Sequence, residues 1–170
     1  QQRLVSGELV AIPTETVYGL AANALSASAV AKIFEAKDRP SFDPLIVHTS
    51  AWDRVEQWVQ DIPALAHQLA AAFMPGPLTL LLPKKQIIPD LVTAGLPRVG
   101  IRLPSHPMTQ SLLAQLDFPV AAPSANPFGY ISPTTAQHVD DQLGSKVSYI
   151  LDGGSCEVGV ESTIISFEEE

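Results

Sequence analysis

The sequence predicts the α/β class. Short apolar runs of strand length alternate with segments of helical periodicity along the whole chain. No internal repeat appears, and no linker is long or polar enough to divide the chain. At 170 residues, 46% of them hydrophobic, the length suits one domain that buries its own core without disulfides or a structural metal.

Taken in order, residues 9–12 (Leu-Val-Ala-Ile) read as a strand ended by Pro13. Residues 28–37 place Ala29, Val30, Ile33 and Phe34 on one helical face, with Ser26 or Ser28 as N-cap. Residues 45–48 read as a strand, and 51–59 and 63–73 as helices, the latter starting on Pro63 at its first helical position. Strands follow at 78–82 and 99–103, a helix at 107–116, and a short strand at 119–122. A helix over 134–143 and strands at 148–151 and 163–167 complete the series. Met74-Pro75-Gly76-Pro77 reads as a rigid turn. Which strands run antiparallel is not encoded in these patterns. Glu168–Glu170 reads as the start of a continuation.

The net charge of −8 is unevenly placed. Residues 140–170 carry eight acids and one base, which leaves only −1 on residues 1–139. That balance argues against non-specific nucleic-acid binding, which needs Lys and Arg on phosphates. A small anion needs only a local cluster of cations. The single cysteine, Cys156, excludes an internal disulfide and a Cys-based zinc site, and points to a reducing, cytoplasmic setting. Two 22-residue stretches without Asp, Glu, Lys or Arg, 62–83 and 118–139, are broken by prolines and polar residues, so no membrane span is expected. The opening at Gln1 reads as a trimmed chain without a signal peptide.

Chemistry concentrates in four loops. Pro13-Thr14-Glu15-Thr16-Val17-Tyr18-Gly19 follows the first strand, and Lys37-Asp38-Arg39-Pro40 follows the first helix. Pro123-Ser124-Ala125-Asn126-Pro127 and Glu161-Ser162-Thr163 come later. Lys37 and Arg39 are either a point charge and a fork for one anion, or the solvated end of a helix. Arg102 sits on an apolar strand and needs a partner or ligand. Ser124 and Asn126 either donate to an anion or cap their own turn, and His48 is either a core histidine or a ligand contact. His67, His106 and His138 read as structural, and Cys156 as a bystander. No fixed metal site, P-loop, dinucleotide fingerprint or nucleophile elbow is present.

Together these loops resemble the YrdC/Sua5 family of threonylcarbamoyl-AMP synthases. The resemblance runs from Pro13-Thr14-Glu15-Thr16-Val17-Tyr18-Gly19-Leu20 to Glu161-Ser162-Thr163-Ile164-Ile165. It includes Lys37-Asp38-Arg39, Pro44-Leu45-Ile46-Val47-His48, Pro75-Gly76-Pro77-Leu78-Thr79, Ile101-Arg102-Leu103-Pro104, Ser124-Ala125-Asn126 and Ser132-Pro133-Thr134. The Glu161-Ser162-Thr163 ending is closer to the Sua5 branch. What the resemblance implies is a twisted open mixed sheet flanked by helices, with a concave active-site surface. It implies that L-threonine, bicarbonate or CO2 and ATP give threonylcarbamoyl-AMP and pyrophosphate, for the N6-threonylcarbamoyl modification of adenosine 37 in tRNA.

The same resemblance implies that Lys37 and Arg39 are the catalytic cations on the ATP phosphates, with Mg2+ helping. Asp43, Arg98, Ser124, Asn126 and Ser132 fall in the implied nucleotide site. Thr14, Thr16, His48, Arg102, Ala122 and Ser162 fall in the implied threonine site, with Arg102 on the carboxylate. Downstream tRNA threonylcarbamoyl-transferase machinery is the implied partner, while the charge balance argues against stable tRNA binding by this domain alone. Three positions depart from the pattern: Asp38 stands where Gly is common, Asp43 where Asn is usual, and Arg98 where a small polar residue is often found. Residues 1–170 are expected to form one catalytic domain, with the second, C-terminal domain of Sua5 proteins absent from the chain. A carbamoyl-adenylating domain of the hydrogenase-maturation type and a non-catalytic RNA-binding module are the alternatives.

Overall fold

Val10 and Ile12 pack into one apolar cluster and Ala11, between them, into another, so the first strand is buried on both faces. Alternation of this kind makes a run read as continuously apolar, and it places the sheet between two layers. The computed structural model describes residues 1–167; Glu168–Glu170 and the continuation expected there lie outside the described residues.

The elements in chain order are α1 (Gln2–Val5), β1 (Val10–Ile12), β2 (Gly19–Asn23), α2 (Ala27–Lys37), β3 (Ile46–His48), a 3-10 turn (Trp52–Gln57), α3 (Ala64–Phe73), β4 (Leu78–Pro83) and α4 (Asp90–Thr93). Then come β5 (Arg98–Arg102), α5 (Pro107–Ala114), β6 (Val120–Ala121), α6 (Ala136–Leu143) and β7 (Thr163–Ser166). Among the described residues, seven strands form one sheet in the order β1-β2-β6-β3-β5-β4-β7. The β3–β5 and β4–β7 pairs are parallel and the others antiparallel, which makes the sheet mixed. The larger cluster gathers α2, α4 and α6 residues such as Ile33, Val92 and Leu143, while α1 and α5 supply Leu4 and Leu113 to the smaller one.

Local chemistry explains most boundaries. Ser26 caps α2 through its side chain, which accepts from the Ala29 amide. Pro107 opens α5 at its first positions, where the missing N–H is no loss. Pro63, expected inside α3, is its N-cap instead, with an extended ψ of 148°.

The expected helix at 51–59 is a six-residue 3-10 turn. Ala51 offers no capping side chain, and Val59 is already drawn into a bridge with Lys84. The expected strand at 148–151 does not form. Ala11 bonds Tyr149 and Leu151 and makes a single bridge to Ile150, after which Asp152-Gly153-Gly154 turns the chain away. Two single-turn helices, α1 and α4, and the strand β2 have no counterpart in the sequence reading.

Candidate functional site

Three strands place a row of side chains on one face of the sheet. His48 on β3 is paired in register with Arg102 on β5, and Arg102 with Thr79 on β4. All three are buried polar residues. A cleft of about 220 Å3 opens over His48 and Arg102, lined also by Thr16, Val17, Arg39, Ser124, Ala122, Ser162 and Glu161 among others. Larger grooves exist elsewhere, but this one converges the buried polar groups.

Arg102 is held from below. Its Nη2 donates to the Glu15 carboxylate at 2.8 Å, and both side chains are buried. The second Glu15 oxygen accepts from the Ser105 amide at 3.0 Å. The Nε of Arg102 is buried without a partner, and the residue lines the cleft. His48 is neutral: burial, then the charge of Arg102, push its imidazole down to about 3. Its Nδ1 lies 3.3 Å from the Ile46 carbonyl, an oxygen that can only accept. The proton is therefore assigned to Nδ1, and Nε2 is left as an acceptor.

The far wall comes from the long segment between α6 and β7. Tyr18 donates its hydroxyl to the Gly154 carbonyl at 2.7 Å and accepts from the Gly153 amide at 3.1 Å. A Cβ on Gly153 would lie 2.6 Å from His106 Cε1, so only glycine fits there. Val158 and Gly159 amides then donate to the Glu15 and Thr16 carbonyls, which brings Glu161 and Ser162 to the cleft. Ser162 and Thr79 hydroxyls meet at 2.7 Å. Burial pushes the Cys156 thiol up, away from a reactive thiolate.

Thr16, Arg39, His48, Arg102, Ala122, Ser124 and Ser162 thus meet in one place. Thr14 does not line it: its hydroxyl donates to the Val17 carbonyl at 2.6 Å and accepts from two backbone amides, closing the turn. Lys37 is fully buried, with Nζ on the Ser124 and Asn126 carbonyls and 3.4 Å from Asn126 Oδ1. Burial, then nearby Arg39, push its ammonium down to about 7, against the pull of Asp43. Asn126 donates its amide to the Tyr130 carbonyl, and Ser132 donates to Glu161. Asp43 pairs with Arg39 at 2.9 Å, and the Arg39 guanidinium lies 5.7 Å from the Phe128 ring centroid.

Arg98 lies at the opposite end of β5 from Arg102, about 13 Å along the strand. It donates to Ser166 and the Phe167 carbonyl in a separate groove. Asp38 is also turned away, pairing with Lys146 at 2.9 Å.

Glu15 and Glu161 fall within two of the four loops, but the sequence assigns neither a role. Glu15 meets Arg102 across 87 positions, a contact that no local pattern announces. Among the described residues no group of three or more His, Cys, Asp or Glu could hold a metal ion, and no helix is long and apolar enough to cross a membrane.

The chain is 49% identical over 163 residues to the threonylcarbamoyl-AMP synthase of Pyrococcus abyssi, covering 96% of this chain and 48% of that one. It is 48% identical over 168 residues to that of Bacillus subtilis, covering 98% and 49%. The chain thus spans about half the length of these curated relatives. A crystal structure of P. abyssi Sua5 complexed with L-threonine matches with a TM-score of 0.97 and 48% identity, over 99% of this chain and 49% of that chain. Full-length HypF, in a phosphate- and nucleotide-bound form, shares the fold alone, at 23% identity and a TM-score of 0.85. The family model Sua5_yciO_yrdC, described as telomere recombination, matches residues 2–170. With that match and relatives of nearly half identity, the chain belongs to the Sua5/YciO/YrdC family.

Proposed function

We propose that this domain condenses L-threonine, bicarbonate or CO2, and ATP into L-threonylcarbamoyl-AMP and pyrophosphate, as a nucleotidyltransferase feeding tRNA modification. The observation that carries the reading is the match of nearly the whole chain to a Sua5 complexed with L-threonine, at 48% identity, over a small cleft floored by Arg102 and His48. At about 220 Å3 the cleft is below the roughly 300–1,000 Å3 of drug-sized sites, which suits an amino acid. The nucleotide then lies over the open surface toward Arg39 and Ser124.

The amine of threonine gains a carboxyl group from bicarbonate, with loss of water. An oxygen of that carbamate then attacks the α-phosphorus of ATP, and pyrophosphate leaves. Such chemistry needs positioning and neutralisation of charge more than a covalent nucleophile. Arg102, on the cleft floor, offers its guanidinium to the threonine carboxylate. His48 offers Nε2 as acceptor to the threonine hydroxyl or amine, and Ser162 and Thr16 complete the wall. Arg39 turns from Asp43 to the phosphates. Magnesium would arrive with ATP, neutralising phosphate charge, and Glu161 is the carboxylate on the cleft wall that could reach it.

The test is pyrophosphate release from Mg·ATP, bicarbonate and L-threonine, with the adenylate identified by mass. Release that is equal without threonine sinks the reading. Tight tRNA binding with a steep salt dependence would support an RNA-binding module instead.

A further inference from the structure

We propose that Lys37 is a positioning residue, holding the Ser124–Asn126 turn in the shape that receives the nucleoside, while the phosphate contacts fall to Arg39. This rests on the nucleotide reading of the cleft.

The turn has an unmet need. Pro123 and Pro127 flank it and bring no N–H. Ser124 and Asn126 nevertheless point their carbonyl oxygens inward, where each needs a donor. Lys37 Nζ supplies both, and Asn126 Oδ1 lies 3.4 Å from the same nitrogen. An ammonium has three N–H donors, and three oxygens surround it.

The Lys37 carbonyl also accepts from the Phe128 amide at 2.8 Å, so the residue grips the turn by side chain and backbone together. Lys37 is 1% exposed and does not line the cleft, whereas Arg39, two residues on, does. Asn126 is equally committed, with its amide on the Tyr130 carbonyl. Of this turn, Ser124 is the polar side chain that reaches the cleft.

A phosphate ligand and a positioning residue leave different signatures on a series of nucleotides. Binding of adenosine, AMP, ADP and ATP to the whole chain with Mg2+ is measured by calorimetry, for the unsubstituted protein and for Lys37→Met and Arg39→Ala. Lys37→Met is expected to weaken all four by the same factor, about tenfold or more. Amide exchange at Ala125, Asn126 and Phe128 should accelerate with it, while β3 stays protected. Arg39→Ala is expected to weaken binding more with each added phosphate. A Lys37→Met loss that grows with phosphate number, or that spares adenosine, overturns the proposal.

Should Lys37→Met not fold, Lys37→Arg keeps the charge but brings a planar fork that does not fit among three oxygens around one point. A uniform loss in that variant supports the proposal, and full ATP affinity overturns it. If the unsubstituted protein binds none of the four ligands, the nucleotide reading itself fails. Unchanged exchange at the turn in a folded Lys37 variant sinks the positioning role alone.

Discussion

Glu15 and Arg102 form a buried ion pair in which one carboxylate oxygen takes the guanidinium at 2.8 Å and the other takes the Ser105 amide. Removing one member leaves an uncompensated charge in the core. Glu15→Ala is expected to cost roughly 3–5 kcal/mol in urea unfolding. Replacing both partners by Gln and Met is expected to recover most of that loss. A single variant as stable as the parent would mean that water reaches the pair.

For Arg102→Ala the expected result is a raised threonine requirement with little change in that for ATP. Steady-state kinetics with each substrate varied in turn will read this. The reverse pattern would mean that the carboxylate and phosphate pockets are exchanged.

Asp43 competes with phosphate for Arg39, since the two pair at 2.9 Å in a half-open position. Freeing the guanidinium with Asp43→Asn is expected to tighten ATP binding about two- to fivefold, in line with a pair worth up to about 1 kcal/mol. Calorimetry at low and high salt checks it, and the gain should shrink with salt.

His48 and Lys37 give opposite ends of a pH profile the same sign. The unfolded His48 takes a proton near 6.5 but the folded one only near 3, so its share of stability is lost as pH falls through that window. Lys37 sheds its proton near 7 in the fold and near 10.5 unfolded, so stability from this residue rises with pH between those values. Urea midpoints from pH 3 to 10 should show both slopes, with the alkaline one absent in Lys37→Met.

Asp38 stands in the left-handed region at φ 51°, closing α2 where glycine would be free of strain. Asp38→Gly is expected to lie within about 0.5 kcal/mol of the parent, relief of strain being offset by a freer unfolded chain. Asp38→Val is expected to cost about 1–2 kcal/mol, because a β-branched residue resists that conformation. Thermal unfolding separates the two.

The sequence made the layered α/β plan readable because nearly every strand is a short apolar run. It hid β2, since Gly19-Leu20-Ala21-Ala22-Asn23 is built of small residues that pack as a strand only between β1 and β6. It suggested a strand at 148–151 because Tyr149-Ile150-Leu151 has strand composition, yet two backbone bonds to Ala11 are all it makes. In the site, loops rich in hydroxyls and cations were visible, but not which cation points inward. Lys37 and Arg39 are two residues apart with the helix end between them, and that turn sends one into the protein and the other to the cleft. Arg98 shares a strand with Arg102 yet ends beside Ser166, because a strand carries its two ends to different neighbours.

The row formed by His48, Arg102 and Thr79 crosses β3, β5 and β4, which the chain supplies from segments separated by other elements. A ligand in the cleft touches His48 on β3 and Arg102 on β5, two strands whose pairing is entirely long-range, so it binds only after they have met. Ligand occupancy then reports folding itself: saturating ligand raises unfolding free energy by RT ln(1 + [L]/Kd), about 2.7 kcal/mol at one hundred times Kd. The floor of the cleft is in this sense a seam, and whatever fills it sews two distant stretches of the chain together.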